Sequence, residues 1–201
     1  SSEVVLAEDG TLLYACVRAG DVGKIEGACI NSWVDNARAV LPNVKANLPT
    51  WNYAWDLMLA NPDQLTVDFG VLGNSGIEGT VEQPNAIRGS SKDVFIAPGA
   101  VVHPMVVFDA EHGPIYIDEN VEIHPFTRIE GPCYVGKNSI LLGAKCREGN
   151  SIGPFCRVGG EVEESIIQGH SNKYHDGFLG HAYVGEWVNL GAMTTNSDLK
   201  N

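Results

Sequence analysis

Between residues 117 and 141 an aliphatic side chain recurs every six positions, at Ile117, Ile123, Ile129, Val135 and Leu141. The hexads read "IDENVE", "IHPFTR", "IEGPCY", "VGKNSI" and "LLGAKC", and a Gly, Pro, Asn or Asp follows shortly after each leading residue. An amphipathic helix needs apolar residues at three- and four-residue intervals, so this beat cannot form its stripe. A solenoid of very short strands fits. Each aliphatic points inward, the turn residues bend the chain to the next face, and three hexads close one triangular coil. Stacked coils then pair their strands along the axis at about 4.8 Å. The beat opens at "IAPGAV" and "VHPMVV", is interrupted by "FDAEHGPIY" and breaks at "REGNS". It resumes with Ile152 and Val158, and returns after a histidine-rich stretch as Phe178, Val184 and Leu190. A sandwich of short strands is the competing architecture, and five consecutive hits weigh against it. The expected fold is mainly β: a parallel β-helix, or hexapeptide solenoid, preceded by a small α/β segment.

Residues 1–70 lack the beat. "EVVLAEDGTLLYACVRA" reads as two short strands around an Asp-Gly turn. "DVGKIEGACINSWVDNARAVLPN" reads as helical, ending at Pro42. In "WNYAWDLMLAN", Trp51, Ala54, Trp55, Met58 and Leu59 form an amphipathic helical stripe with Thr50 as N-cap, expected in a core or domain contact, and Pro62 is expected to end the helix. The domain boundary is placed near residue 70, giving 1–70 as an α/β remnant with a linking helix and 71–201 as the solenoid. Seventy residues make a thin independent domain, so this part reads as the tail of something larger.

The formal net charge of −12 excludes a general nucleic-acid or anionic-membrane surface, though local Lys and Arg still suit a small anionic ligand. The five cysteines are odd in number and form no CxxC pair, which suits reduced thiols in a cytoplasmic protein. Cys133, Cys146 and Cys156 fall in the repeats and read as small core or turn fillers. No apolar run approaches the roughly 18 residues of a membrane span.

The motifs "GPIYIDENVEIHPFTRIEGPCYVG", "GPFCRVGGEVEESII" and above all "SNKYHDGFLGHAYVGEWVNLGAMTTNSDLKN" cover roughly residues 90–201. They resemble the sugar-1-phosphate nucleotidyltransferase family with a C-terminal hexapeptide-repeat acyltransferase domain, which includes bifunctional glucosamine-1-phosphate acetyltransferase/uridylyltransferases and glucose-1-phosphate thymidylyltransferase-like proteins. The resemblance implies a left-handed coil, whereas ordinary crossover rules favour the right-handed form. It also implies a homotrimer, a cytoplasmic location, and an enzyme of nucleotide-sugar biosynthesis acting on a sugar phosphate and a CoA thioester. The family's nucleotidyl-transfer domain, with its glycine-rich loop and its Mg2+ site, has no counterpart here; "GVLGNSG" reads as a loop. Family members continue past "NSDLKN", so the chain reads as a fragment truncated at both ends.

By the same resemblance His175, in "HDGFLG", matches the base that takes a proton from the sugar amine as it attacks acetyl-CoA. An ammonium cannot attack a thioester, and a base titrating near neutrality can free it. Asn189, Lys173, Phe178, Arg157 and Lys200 are the implied substrate-binding residues. Phe178 stands where the bifunctional relative has a tyrosine, and "GGEVEES" shifts the alignment around Arg157. Glu161, Glu163 and Glu164 in that insertion either hold an amine or are simply solvated.

Two other readings stand beside this one. His170 and His175, five apart between glycines, are similar to the histidine pair of γ-class carbonic anhydrases, which need a third histidine upstream; His124 is the candidate, with unsuitable spacing. His103 and His124 each precede a proline and read as turn residues, and His181 as structural or exposed. No metal ligand is assigned. The remaining reading is a non-catalytic trimerisation scaffold.

Overall fold

The computed structural model describes residues 1–196, which fall into two compact units, Ser1–Asn52 and the part from Tyr53 onward. In the first unit β1 (Glu3–Leu6) and β2 (Leu12–Cys16) pair antiparallel. The Asp9 carboxylate accepts from the Thr11 N–H (2.9 Å) inside the turn that joins them. The stretch expected as one helix is two, α1 (Ala19–Val22) and α2 (Ile30–Val40). Gly23 and Gly27 lie between them, and glycine is a poor helix former. A Cβ on Gly27 would come within 2.5 Å of the Trp33 backbone, so the chain needs glycine where it crosses the start of α2. β3 (Asn43–Lys45) then joins β1 in parallel. Val4, Ile25, Ala37 and Leu41 form this unit's small core.

The second unit opens with α3 (Ala54–Leu72), which runs through Pro62 and ends at Gly73 in the left-handed conformation (φ +67°). The expected stop at Pro62 and cap at Thr50 are therefore both corrected: Tyr53 is the N-cap, and its N–H meets the Asp56 carboxylate at 3.0 Å. A proline inside a helix removes one backbone hydrogen bond. The neighbouring Asn61 pins the helix at that point. Its Nδ2 donates to the Gly149 carbonyl (2.8 Å) and its Oδ1 accepts from Ser151 Oγ (2.7 Å). Met58 and Asn61 are the buried positions of α3, whereas Trp55 and Leu59 are exposed, so the expected aromatic stripe is not core. Asn61→Ala strands a buried carbonyl and a half-buried hydroxyl, and urea denaturation is expected to show a loss of about 1–3 kcal/mol.

Beyond Gly73 the chain winds into a parallel β-solenoid with three strand stacks. The first face stacks Gly76–Ile77, Val94–Ile96, Ile115–Ile117, Cys133–Val135, Asn150–Ile152, Ile166–Ile167 and Tyr183–Val184. The second stacks Thr80–Val81, Val101–Val102, Glu122–Ile123, the start of Ile140–Cys146, the start of Arg157–Glu163, and Asn172–Lys173, with Asn189 bridging onto the last. The third stacks Ala86–Gly89, Val107–Ala110, Arg128–Glu130, the ends of the same two long strands, and Phe178–Gly180. The long strands turn the corner between the second and third faces without a break, through Gly143 and Gly160 at φ +60° and +66°.

The six-residue beat is the inward register. Ile96, Ile117, Val135, Ile152 and Ile167 line the first face, Val102, Ile123, Leu141 and Val158 the second, and Phe108, Ile129, Cys146 and Val162 the third, all essentially buried. Each such side chain stabilises the fold by about 1.5–3 kcal/mol through area removed from water. In the last full coil the inward residue is Leu179, not Phe178, which pairs in register with the outward Glu161. The solenoid also does not pause in the histidine-rich stretch, because Asn172–Lys173 continues the second face. Cys133, Cys146 and Cys156 are buried fillers, and burial raises the thiol pKa of Cys146 to about 12. No described helix is long and apolar enough to cross a membrane.

Candidate functional site

At the corner between the first and second faces, one position takes φ of +56° to +61° in five successive coils: Asn120, Asn138, Phe155, His170 and Trp187. That region is uncommon outside glycine and asparagine. His170 is thereby held with its ring between Phe155 (5.0 Å between centroids) and Trp187 (4.4 Å), all three near parallel. It is a rung of an aromatic stack. Among the described residues it belongs to no group of three metal-ligating side chains, and neither does His175. His181, at the third corner, lies 3.0 Å from a Glu164 carboxylate oxygen. Glu161 and Glu163 approach Arg147 at 4.0 and 3.1 Å, so these three acids are paired with bases along the rim.

His175 occupies the corner between the second and third faces, directly after Asn172–Lys173 and before Phe178–Gly180. It is exposed, and its ring meets Tyr174 edge-on at 5.1 Å. Lys173 holds this corner from inside. It falls on the inward beat, in register with Val158, and is 2% exposed. Its Nζ donates to the Gly159 carbonyl (3.0 Å) and to the carbonyl of His175 itself (2.8 Å). Burial lowers the pKa of this ammonium, opposed by the charges of Asp176 and Cys146. The expected direct substrate contact for Lys173 is corrected accordingly: an inward register position turns the side chain into the core, where it tethers the backbone of the exposed histidine.

Arg157, Asn172 and Asn189 stand in one outward column on successive coils of the second face. Asn172 Nδ2 donates to Asn189 Oδ1 at 2.7 Å. The side-chain amide oxygen of Asn172, Oδ1, is buried and accepts no hydrogen bond, whereas its backbone carbonyl accepts from the Leu190 N–H (2.8 Å). Asn172 was not among the sequence candidates; the parallel register that places it between Arg157 and Asn189 is the signal. On the other side of the corner, Phe178, Asp176, Glu161 and Lys145 line a groove of about 290 Å³. The Phe178 N–H donates to Thr195 Oγ1 (3.2 Å), so the next coil closes over this edge. Five of the six sequence candidates, Arg157, Lys173, His175, Phe178 and Asn189, therefore fall on three consecutive coils around one corner. The sixth, Lys200, lies outside the described residues.

No family model matches the chain. Curated relatives do. The bifunctional protein GlmU of a Jannaschia species is 31% identical over 118 residues, which is 57% of this chain and 25% of that protein. That of Rippkaea orientalis is 29% identical over 151 residues, 72% of this chain and 30% of the relative. That of Thermotoga petrophila is 32% identical over 128 residues, 53% of this chain and 28% of the relative. The chain thus spans between a quarter and three tenths of the length of these relatives. The chain is thus a parallel β-solenoid on a six-residue inward beat, similar over part of its length to the bifunctional protein GlmU.

Proposed function

We propose that the chain carries the acyltransferase part of a nucleotide-sugar biosynthetic enzyme, acetylating an amino-sugar-1-phosphate from acetyl-CoA. The observation that supports this best is the grouping of a tethered, exposed histidine with an outward arginine–asparagine column around one corner. The Arg157 guanidinium suits a phosphate, which it can meet with two parallel N–H donors. The exposed amide of Asn189 suits a hydroxyl or amine of the sugar. His175 takes the proton from the sugar ammonium. The freed amine attacks the thioester carbonyl, the new C–N bond forms as the C–S bond breaks, and the departing CoA thiolate takes up the proton that His175 holds. Phe178 offers an apolar wall on the groove side, and Lys200 remains a basic candidate for the phosphate. Lys173 acts through His175 as a positioning residue. We place the protein in the cytoplasm as a homotrimer, and assign no nucleotidyl transfer or Mg2+ to the described residues.

Thiol release from acetyl-CoA in the presence of glucosamine-1-phosphate tests this reading. His175→Ala is expected to lower the rate by about 10²–10⁴-fold, the usual contribution of a positioned base. No thiol release by the native chain, or an unchanged rate in the variant, would overturn it.

A further inference from the structure

Three coils along the axis from His175, on the same corner, two imidazoles and a carboxylate converge. His103 Nε2 lies 3.2 Å and His124 Nε2 3.1 Å from the same oxygen of Glu122, Oε1. One ligand atom from each residue lies within 4.8 Å of the others. Adjacent ligand atoms in a tetrahedral zinc site, with bonds of about 2.0–2.1 Å, stand about 3.3 Å apart. Two of the three separations already match that spacing, and the third lies within 4.8 Å. His103 also meets a second carboxylate on its other ring nitrogen, with Nδ1 3.1 Å from Glu82 Oε2. Carboxylates only accept, and a neutral imidazole has one N–H, so His103 satisfies both contacts either as the imidazolium or with a cation at one of them. A proton on His103, with His124 donating its Nε2–H to the second lone pair of the Glu122 oxygen, meets the same contacts; a metal ion meets them with both imidazoles neutral.

The geometry points to a divalent transition-metal site of the zinc class, with His103 Nε2, His124 Nε2 and Glu122 Oε1 as ligands. Glu82 accepts from the His103 Nδ1–H, the outer carboxylate that fixes tautomer and ring orientation in many such sites. The side chains are between 29% and 44% exposed, which leaves the fourth position open to water or a small ligand. His103 comes from one coil and Glu122 and His124 from the next, so the ion joins two coils of the second face. The rings project from the short strands Val101–Val102 and Glu122–Ile123, whose inward residues Val102 and Ile123 are fully buried. Two ligands on one coil and one on the next are thus held at fixed height by the core itself.

The test uses the whole chain stripped with a chelator and titrated with Zn2+, and with Co2+ as a coloured stand-in. One ion per chain is expected, with the intense visible absorption of four-coordinate Co2+. His124→Ala and Glu122→Gln are expected to lose stoichiometric binding while circular dichroism stays that of the native chain. Glu82→Gln is expected to weaken binding about 10–100-fold without abolishing it. His175→Ala is expected to bind as the native chain does, which separates this site from the acyltransferase reading. No stoichiometric uptake, uptake unchanged in His124→Ala and Glu122→Gln, or loss of the ion in His175→Ala would each overturn the assignment.

Discussion

Lys173→Ala is expected to destabilise the chain by about 3–5 kcal/mol, the upper part of the range for truncating a large buried side chain. Two losses combine. The inward position empties between Val158 and the next coil, and the carbonyls of Gly159 and His175 lose their shared donor inside the protein. Lys173→Met separates them. It keeps the volume and removes the charge, and replacing a buried charge with an apolar side chain offsets part of the cost of the stranded carbonyls. Denaturant midpoints should therefore order as native, then Met, then Ala, with thiol release reduced in both variants because the His175 backbone is no longer held. The pH dependence carries the same signature. The folded pKa of Lys173 lies below its ordinary value of 10.5, so in the interval between the two the unfolded chain holds more protons. Native stability rises with pH across that interval, and the handicap of the buried charge is fully present below it. Lys173→Met should lack the slope; the same slope in both proteins would place its origin elsewhere.

Gly159→Ala is the second large effect, about 3 kcal/mol at the top of the overpacking range. A Cβ there would sit 2.2 Å from the Tyr174 carbonyl oxygen and 3.3 Å from that of Leu142. Both are backbone atoms of the neighbouring coils, so no rotamer change relieves the clash and the coils must part. They part where the Gly159 carbonyl receives Lys173 and where Tyr174 leads into His175. A thermal melt should show the loss. A compensating substitution far along the axis, such as a better-packed residue in the first coil, should not restore activity.

The solenoid was legible because inward burial imposes a period that nothing else in the chain obscures. Where the period changes, the cause is local. Leu141 to Cys146 is five residues and Val158 to Val162 is four, because Gly143 and Gly160 let a single strand turn the corner with fewer residues. The first shortening broke the beat at "REGNS", and a five-residue step from Leu179 to Val184 set the expected return on Phe178, six before Val184, instead of on Leu179. Counting six residues on from Ile167 lands on Lys173, and six more on Leu179. The inward register of Lys173 was therefore present in the sequence, hidden by the expectation that an inward residue is apolar. α3 was cut short at Pro62 because the cost of a helical proline is visible in sequence, whereas the Asn61 contacts to Gly149 and Ser151 that hold the helix there join residues almost ninety positions apart. The convergence of His103, Glu122 and His124 was invisible for the same reason: coil height brings it about, and each histidine taken alone looks like any residue before a proline.

A stack of near-identical coils has a weakness that a globular core lacks. Any strand can pair with a neighbour one coil too high or too low and still bury an aliphatic row. Lys173 removes that degeneracy at its level. Its ammonium finds two carbonyl acceptors at only one height along the axis, and at any other it would sit among Val158, Leu141 and Ile123 with no acceptor supplied. One charged residue on an otherwise aliphatic row thus works as an address label. Its removal should show, beyond the lost stability, as mispaired species during refolding, detectable as an added slow phase or as soluble misfolded chain that the native sequence does not produce.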